Sequence, residues 1–353
     1  MTGAPSGPAR ARWAGLFDTE LPLVAAPMAG GTSTPALVSA VASAGGFGFL
    51  AAGYKTPDAV AAELAELRGT AGDAIGVNLF VPGRDDITEA EFRRYARELA
   101  AEGAPYGLDL AHAPLVVDDD HWRDKLDLLL AAPVPVVSFT FGLPDPATVR
   151  ALRRAGSRVL VTVTTVPEAR AAHDLGVDGL VAQSTEAGAH SGTHDPRRPL
   201  SPTTAERLTV EVVAATGLPV VAAGGVDGAG RVRRLLAEGA SAVMVGTLLL
   251  RTDESGTSQV HKDALADPAR TGTVLTRAFT GRPARGLRNG FIDRHEATAP
   301  FGYPAIHHLT RGLRVAAVRA NDPDRVHLWA GTGYRQARTG PAAEAVAALS
   351  AAL

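Results

Sequence analysis

Eight short runs of β-branched and small apolar residues constrain this fold more than any other feature of the chain. They begin at residues 23, 47, 75, 136, 159, 179, 220 and 242, and each is four to six residues long. They are nearly continuous in apolar character rather than alternating, so each reads as a strand buried on both faces. A strand of that kind belongs to a parallel sheet covered by helices, and the intervening segments carry helix signals. Pro35 and Pro57 stand behind Thr34 and Thr56, where a hydroxyl can cap the first turn that proline opens. The units around residues 175–179 and 238–242 repeat one pattern: a helix, a Gly-Val/Ala-Asp/Ser turn, then the next strand.

Eight such units fill a (β/α)8 TIM barrel. A doubly wound sheet shares the local pattern, and the strand count and length favour the barrel. The domain reading places a disordered tail at 1–12 and the barrel at 13–250. A helical insertion at 82–132 follows strand three, with a charged helical pattern at 88–101. A segment at 251–330 follows strand eight as a lid or small second domain, and 331–353 forms a helix packing back on the barrel. Long excursions from a barrel commonly shape its substrate site.

Composition narrows the function classes. With 35 basic and 37 acidic residues the net charge is −2, which offers no basic face for nucleic acid. No apolar run approaches the ~20 residues that span a bilayer, and the first residues lack a signal-peptide core. A cytoplasmic protein without membrane partners is the expectation, with a homodimer left open. The absence of cysteine excludes disulfides, thiolate metal sites and a cysteine nucleophile.

Barrel enzymes place their chemistry at the carboxyl ends of the strands. Strand six ends in Gln183, and Gly188 and His190 follow within seven residues. An imidazole titrates near neutrality, so His190 is the candidate acid–base group. His194 makes a His-x-x-x-His spacing with it, but Gly188 and Gly192 oppose a regular helix there and no third ligand is evident. No metal is expected. His173, on a helix, reads as solvated. Gly224 and Gly225 end strand seven, and Gly246 and Thr247 end strand eight. Those two loops form the usual phosphate site of a barrel, where backbone N–H groups meet the anion. Asn78 in strand three and Gln183 offer both donors and acceptors to a flat heterocycle. Ala26, Pro27 and Met28 could line its edge. There is no Gly-x-Gly-x-x-Gly after strand one and no Walker pattern, which points to a mononucleotide such as FMN.

Taken in order, Ala26-Pro27-Met28-Ala29-Gly30-Gly31, Gly76-Val77-Asn78, Gln183 to His190, Ala223-Gly224-Gly225 and Val245-Gly246-Thr247 resemble the nitronate monooxygenase family, formerly 2-nitropropane dioxygenase. The runs at 303–310 and 328–334 resemble that family's carboxyl-terminal segments. The resemblance covers about residues 21–338. It implies non-covalent FMN and no metal. Asn78 and Gln183 would contact the flavin, and Gly188, Gly225, Met244, Val245, Gly246 and Thr247 would hold the phosphate and ring edge. His190 would be the catalytic base in oxidation of an alkyl nitronate or nitroalkane by O2 to a carbonyl compound and nitrite. Two positions depart from the family pattern: Ala189 where a glycine is frequent, and Met244 where a glutamine is. The competing readings are an FMN-dependent NAD(P)H reductase of the enoyl-acyl-carrier-protein or quinone type, and a non-catalytic flavin- or phosphate-binding barrel. The related IMP dehydrogenases need a cysteine nucleophile and are excluded.

Overall fold

The structure, a computed structural model, describes residues 15–83 and 87–353. The tail at 1–12 lies outside the described residues. The chain begins β1 (Leu23–Ala25), α1 (Pro35–Ser43), β2 (Phe47–Ala51), α2 (Pro57–Leu67) and β3 (Ile75–Phe80). After β3 come α3 (Glu89–Glu98), the single turn α4 (Ala100–Gly103) and α5 (Trp122–Ala131). Next are β4 (Val136–Thr140), α6 (Pro146–Arg154), β5 (Arg158–Val163), α7 (Val166–Asp174), β6 (Gly179–Gln183) and a two-residue strand β7 (Ala189–His190). The barrel is completed by α8 (Ala205–Thr216), β8 (Val220–Ala223), α9 (Ala229–Ala237) and β9 (Ala242–Val245). Beyond it lie α10 (Gln259–Ala266), β10 (Thr273–Thr276), β11 (Ala284–Leu287), α11 (Gly290–His295), α12 (Ala305–Arg319) and α13 (Ala342–Ser350).

β1 to β6, β8 and β9 form a closed parallel barrel. Closure is made at Val24, which pairs with Phe47 on one side and Met244 on the other. Alternate residues of each strand divide between two cores. Val24, Phe47, Phe49, Val136, Leu160, Val181, Val221 and Met244 fill the interior, with Leu16 and Phe17 among them. Val77, Val137, Val159, Val161, Leu180 and Val220 face the helical sleeve. Strands buried on both faces are what the continuous apolar runs predict. The caps match as well: Thr34 and Thr56 hydroxyls accept from the N–H groups of Leu37 and Ala59. In the repeated turn, Gly176 and Gly239 take φ values of +80° and +98°, the left-handed conformation that ends a helix most cheaply on glycine.

The excursions from the barrel share a core of their own. Phe92 and Tyr95 of α3 pack with Phe279, Phe291, Ile306, Leu309 and Leu313, and the Tyr95 hydroxyl donates to the Ala278 carbonyl at 2.7 Å. Glu102 joins them electrostatically, with Arg294, Arg325 and His295 at 2.6, 2.7 and 2.9 Å. The last part of the 82–132 stretch is a sleeve helix: α5 packs between α2 and α6. The eighth sleeve position is filled by α13, which packs against α1 and α9, almost a hundred residues after β9. Its Val346 and Leu349 join Leu37, Val41 and Val232.

Candidate active site

A polar layer caps the apolar interior. Asn78, 2 % exposed, donates from Nδ2 to Ser138 Oγ and Thr140 Oγ1, both at 2.9 Å. Thr140 Oγ1 lies 3.3 Å from Thr162 Oγ1 on the next strand. Among the described residues the Asn78 carboxamide oxygen accepts from no protein donor, so the side chain is held rigidly with one acceptor to spare. Gln183 is used differently. Its Nε2 donates to the His190 carbonyl at 3.2 Å and its Oε1 accepts from the Gly192 N–H at 2.6 Å. Gln183 thus folds the loop after β6 back over the barrel and sets where His190 stands.

His190 is carried by β7, which pairs antiparallel with β11: Ala284 faces His190 and Arg285 faces Ala189. The segment after the barrel therefore supports the candidate base. The His190 Nε2 is 2.9 Å from Thr280 Oγ1, and that hydroxyl lies 3.2 Å from the Arg282 carbonyl. The direction of the His190–Thr280 bond follows the imidazole tautomer, and in either tautomer the contact seats the ring. Burial, with the Arg282 and Arg314 guanidiniums behind it, pushes the His190 pKa down to about 3. The ring is walled by Phe141, Tyr303 and Trp329 at centroid distances of 5.6, 5.5 and 5.8 Å. His194 turns elsewhere, with Nε2 3.0 Å from the Thr162 carbonyl. Among the described residues no group of three His, Asp or Glu side chains is disposed to hold a metal. His173 is half exposed beside Asp174.

The glycine loops lie at the ends of adjacent strands. Among the described residues, the backbone N–H groups of Gly224, Gly225, Gly246, Thr247 and Leu248 donate to no protein acceptor, and Gly224, Gly225 and Leu248 are buried. Buried backbone donors are rarely left orphaned. α9 starts at Gly228 without a side-chain cap, adding first-turn donors. Arg231 fixes this arrangement by donating to the Gly225 carbonyl and to Glu186 and Glu206. Thr247 Oγ1 accepts from the Gly331 N–H at 2.9 Å, which leaves its own proton to donate. Unmet donors on the loops of two adjacent strands suit a phosphate, so FMN fits the residues present. Gly188 packs against backbone: a Cβ there would stand 2.5 Å from the Gly331 nitrogen. The remaining candidates border the same loops. Met28 N–H donates to Ser33 Oγ at 2.9 Å, and Ser33 Oγ donates to the Ala26 carbonyl, bending the chain around Pro27. The Met244 side chain belongs to the barrel interior and the Val245 side chain to the sleeve.

The sequence pattern described as nitronate monooxygenase matches residues 11–351. The chain belongs to the nitronate monooxygenase family. It is an oxidoreductase. A probable nitronate monooxygenase of Staphylococcus aureus strain N315 is 34 % identical over 335 residues, 93 % of this chain and 92 % of that one. The solved structure of a nitroalkane oxidase from Streptomyces ansochromogenes is 47 % identical, covers 96 % of this chain and 97 % of its own, and superposes with a TM-score of 0.89. FabK from Thermotoga maritima is 25 % identical over 96 % of this chain and 94 % of its own, with a TM-score of 0.73.

In this member of the nitronate monooxygenase family, a cavity of about 260 Å³ opens beside the His190 wall rather than over the glycine loops. Tyr54, Phe80, Phe141, Arg282, Phe301 and Tyr303 line much of it. Sequence reasoning did not single out Tyr54, Phe141, Thr280 or Arg282, and Tyr303 stood only within a family-like run. Their local context carries no motif, because they meet only through the docking of 251–330 on the barrel. One backbone signal does mark the place. Tyr54, Asp120, Phe141 and Ala189 take φ of 68°, 56°, 81° and 63°, and all four border the cavity or adjoin His190. Left-handed backbone costs a non-glycine residue about 1–2 kcal/mol, and such strain gathers at functional sites.

Proposed function

We propose that this enzyme is an FMN-dependent nitronate monooxygenase, converting alkyl nitronates with O2 to a carbonyl compound and nitrite. The observation that carries the reading is His190: an imidazole held neutral in an aromatic wall, at the same end of the barrel as the unmet donors of the two glycine loops. FMN bound on those loops would supply the electron acceptor. Gly224, Gly225, Gly246, Thr247 and Leu248 would hold its phosphate, and Asn78 Oδ1 would accept from its ring system. The neutral His190 ring keeps one nitrogen lone pair with which to accept a proton from a nitroalkane carbon. The aromatic wall lowers the polarity around it, which strengthens polar contacts to an ionic substrate.

The test is anaerobic stopped-flow of the FMN-loaded protein, mixed with a nitronate and separately with NADH, in wild type and His190→Ala. Flavin bleaching by nitronate and not by NADH, with nitrite released on admitting air, is the expected result. Bleaching by NADH alone would assign the protein to the NAD(P)H-dependent reductases. No flavin binding at all would point to a non-catalytic barrel.

A further inference from the structure

Among the described residues, Arg282 is a buried cation without a counter-ion. It is 5 % exposed and stacks over the Phe141 ring with its guanidinium carbon 3.9 Å from the centroid. Its Nε donates to the Ser191 carbonyl at 3.4 Å and its Nη2 to the Thr193 carbonyl. Among the described residues no carboxylate lies within ion-pair distance of it, and its Nη1 donates to nothing. Glu168 and Asp195 act on it only through space. Glu168 is committed to Arg198 at 3.2 Å, to the Thr193 hydroxyl and to the His194 N–H. A second buried guanidinium, Arg314, stands behind the wall and donates to Thr310 Oγ1 and the His307 carbonyl, with no acid paired to it among the described residues. Carbonyl dipoles and the cation–π contact offset part of the desolvation of Arg282, but a buried charge is ordinarily paired.

The missing partner has a place. Arg282 lines the cavity of about 260 Å³, and Phe141 and Tyr303, which share that lining, both contact the His190 ring. Nη1 and the remaining proton of Nη2 form one edge of the guanidinium fork. That edge matches a planar anion offering two oxygens, which an ammonium would not. We infer that Arg282 is the specificity-determining counter-ion for the two oxygens of the substrate's anionic end, and that it selects substrates already ionised over their neutral parents. This rests on the nitronate reading above. The rest of the lining is mixed, with the rings of Tyr54, Phe80 and Phe301 beside the carboxylates of Asp118, Asp119, Asp120 and Asp195.

The experiment uses Arg282→Gln and Arg282→Lys in the FMN-loaded protein, with propyl-1-nitronate, neutral 1-nitropropane and nitrate as probes. Nitrate, a planar oxyanion, is followed by isothermal titration, which needs no turnover. Arg282→Gln should raise the nitronate KM and the nitrate Kd at least tenfold and the 1-nitropropane KM by a several-fold smaller factor. Arg282→Lys, which keeps the charge and loses the fork, should fall between. Equal losses for ionised and neutral substrates, or nitrate affinity unchanged in both variants, would overturn the assignment. If wild type oxidises no nitronate, the titration still decides: nitrate binding that needs Arg282 upholds the anion site while the nitronate reading falls, and no nitrate binding by wild type sinks the anion site. Thermal melts of both variants separate lost binding from lost folding.

Discussion

His190 and Thr280, ninety residues apart in sequence, meet at 2.9 Å between Nε2 and Oγ1. The same hydroxyl lies 3.2 Å from the Arg282 carbonyl, so one side chain seats the imidazole and ties it to the Arg282 backbone. The candidate base is therefore set from outside the barrel, by the segment that follows the last barrel strand.

Replacing Thr280 by valine keeps the shape of this 1 % exposed side chain and removes the hydroxyl. The His190 Nε2 then lacks a partner, a loss of about 1–3 kcal/mol. A roughly tenfold fall in kcat is expected, with the KM for nitronate little changed, and Thr280→Ser should restore most of it. Steady-state kinetics of the pair decide; an unaffected kcat in the valine variant would remove Thr280 from the positioning role.

Gly188→Ala should damage the site through packing. The added Cβ meets the Gly331 nitrogen at 2.5 Å and the Ala330 carbonyl carbon at 2.6 Å, and backbone cannot rotate away as a side chain can. Overpacking of this kind costs about 1–3 kcal/mol, and shifting 330–331 also displaces the Thr247 hydroxyl that Gly331 donates to. Denaturant unfolding and FMN titration should both register the change.

Ala189→Gly should act in the opposite sense to most glycine substitutions. Ala189 sits at φ +63°, and relieving a left-handed alanine is worth about 1–2 kcal/mol, offset in part by the freer unfolded chain. A net gain of up to about 1 kcal/mol is expected in equilibrium unfolding. A loss would mean that the alanine methyl packs usefully.

Stability should fall on mild acidification. Burial holds His190 down to about 3 and His261 to about 4, and keeps His307 and His327 well below the ordinary value of 6.5. Below pH 6.5 the unfolded chain takes up these protons and the folded one does not, so stability present above 6.5 is lost as the pH drops toward 4. Asp120, pushed up by burial, opposes this as a single group. The melting temperature should be lower at pH 5 than at pH 7, and the difference smaller in His261→Asn. Equal melting temperatures at both pH values in wild type would show that these imidazoles are not held neutral.

The sequence by itself determined the barrel. Continuous Val-, Leu- and Ala-rich strands can be buried only between an interior and a helical sleeve, and Thr-Pro caps and left-handed glycines punctuate the helices locally. It also determined His190, Asn78 and the glycine pairs as candidates, because strand ends and glycine turns are local features whose place in a barrel follows from chain order. What Gln183 holds, why α13 completes the sleeve, and how Thr280, Phe141, Tyr303 and Arg282 surround one imidazole were decided only by tertiary structure. Those residues carry no local pattern. They come together when 251–330 docks through β11 on β7 and through the Phe92–Phe279–Phe291 core, and the protonation of His190 depends on burial that no short stretch of sequence encodes.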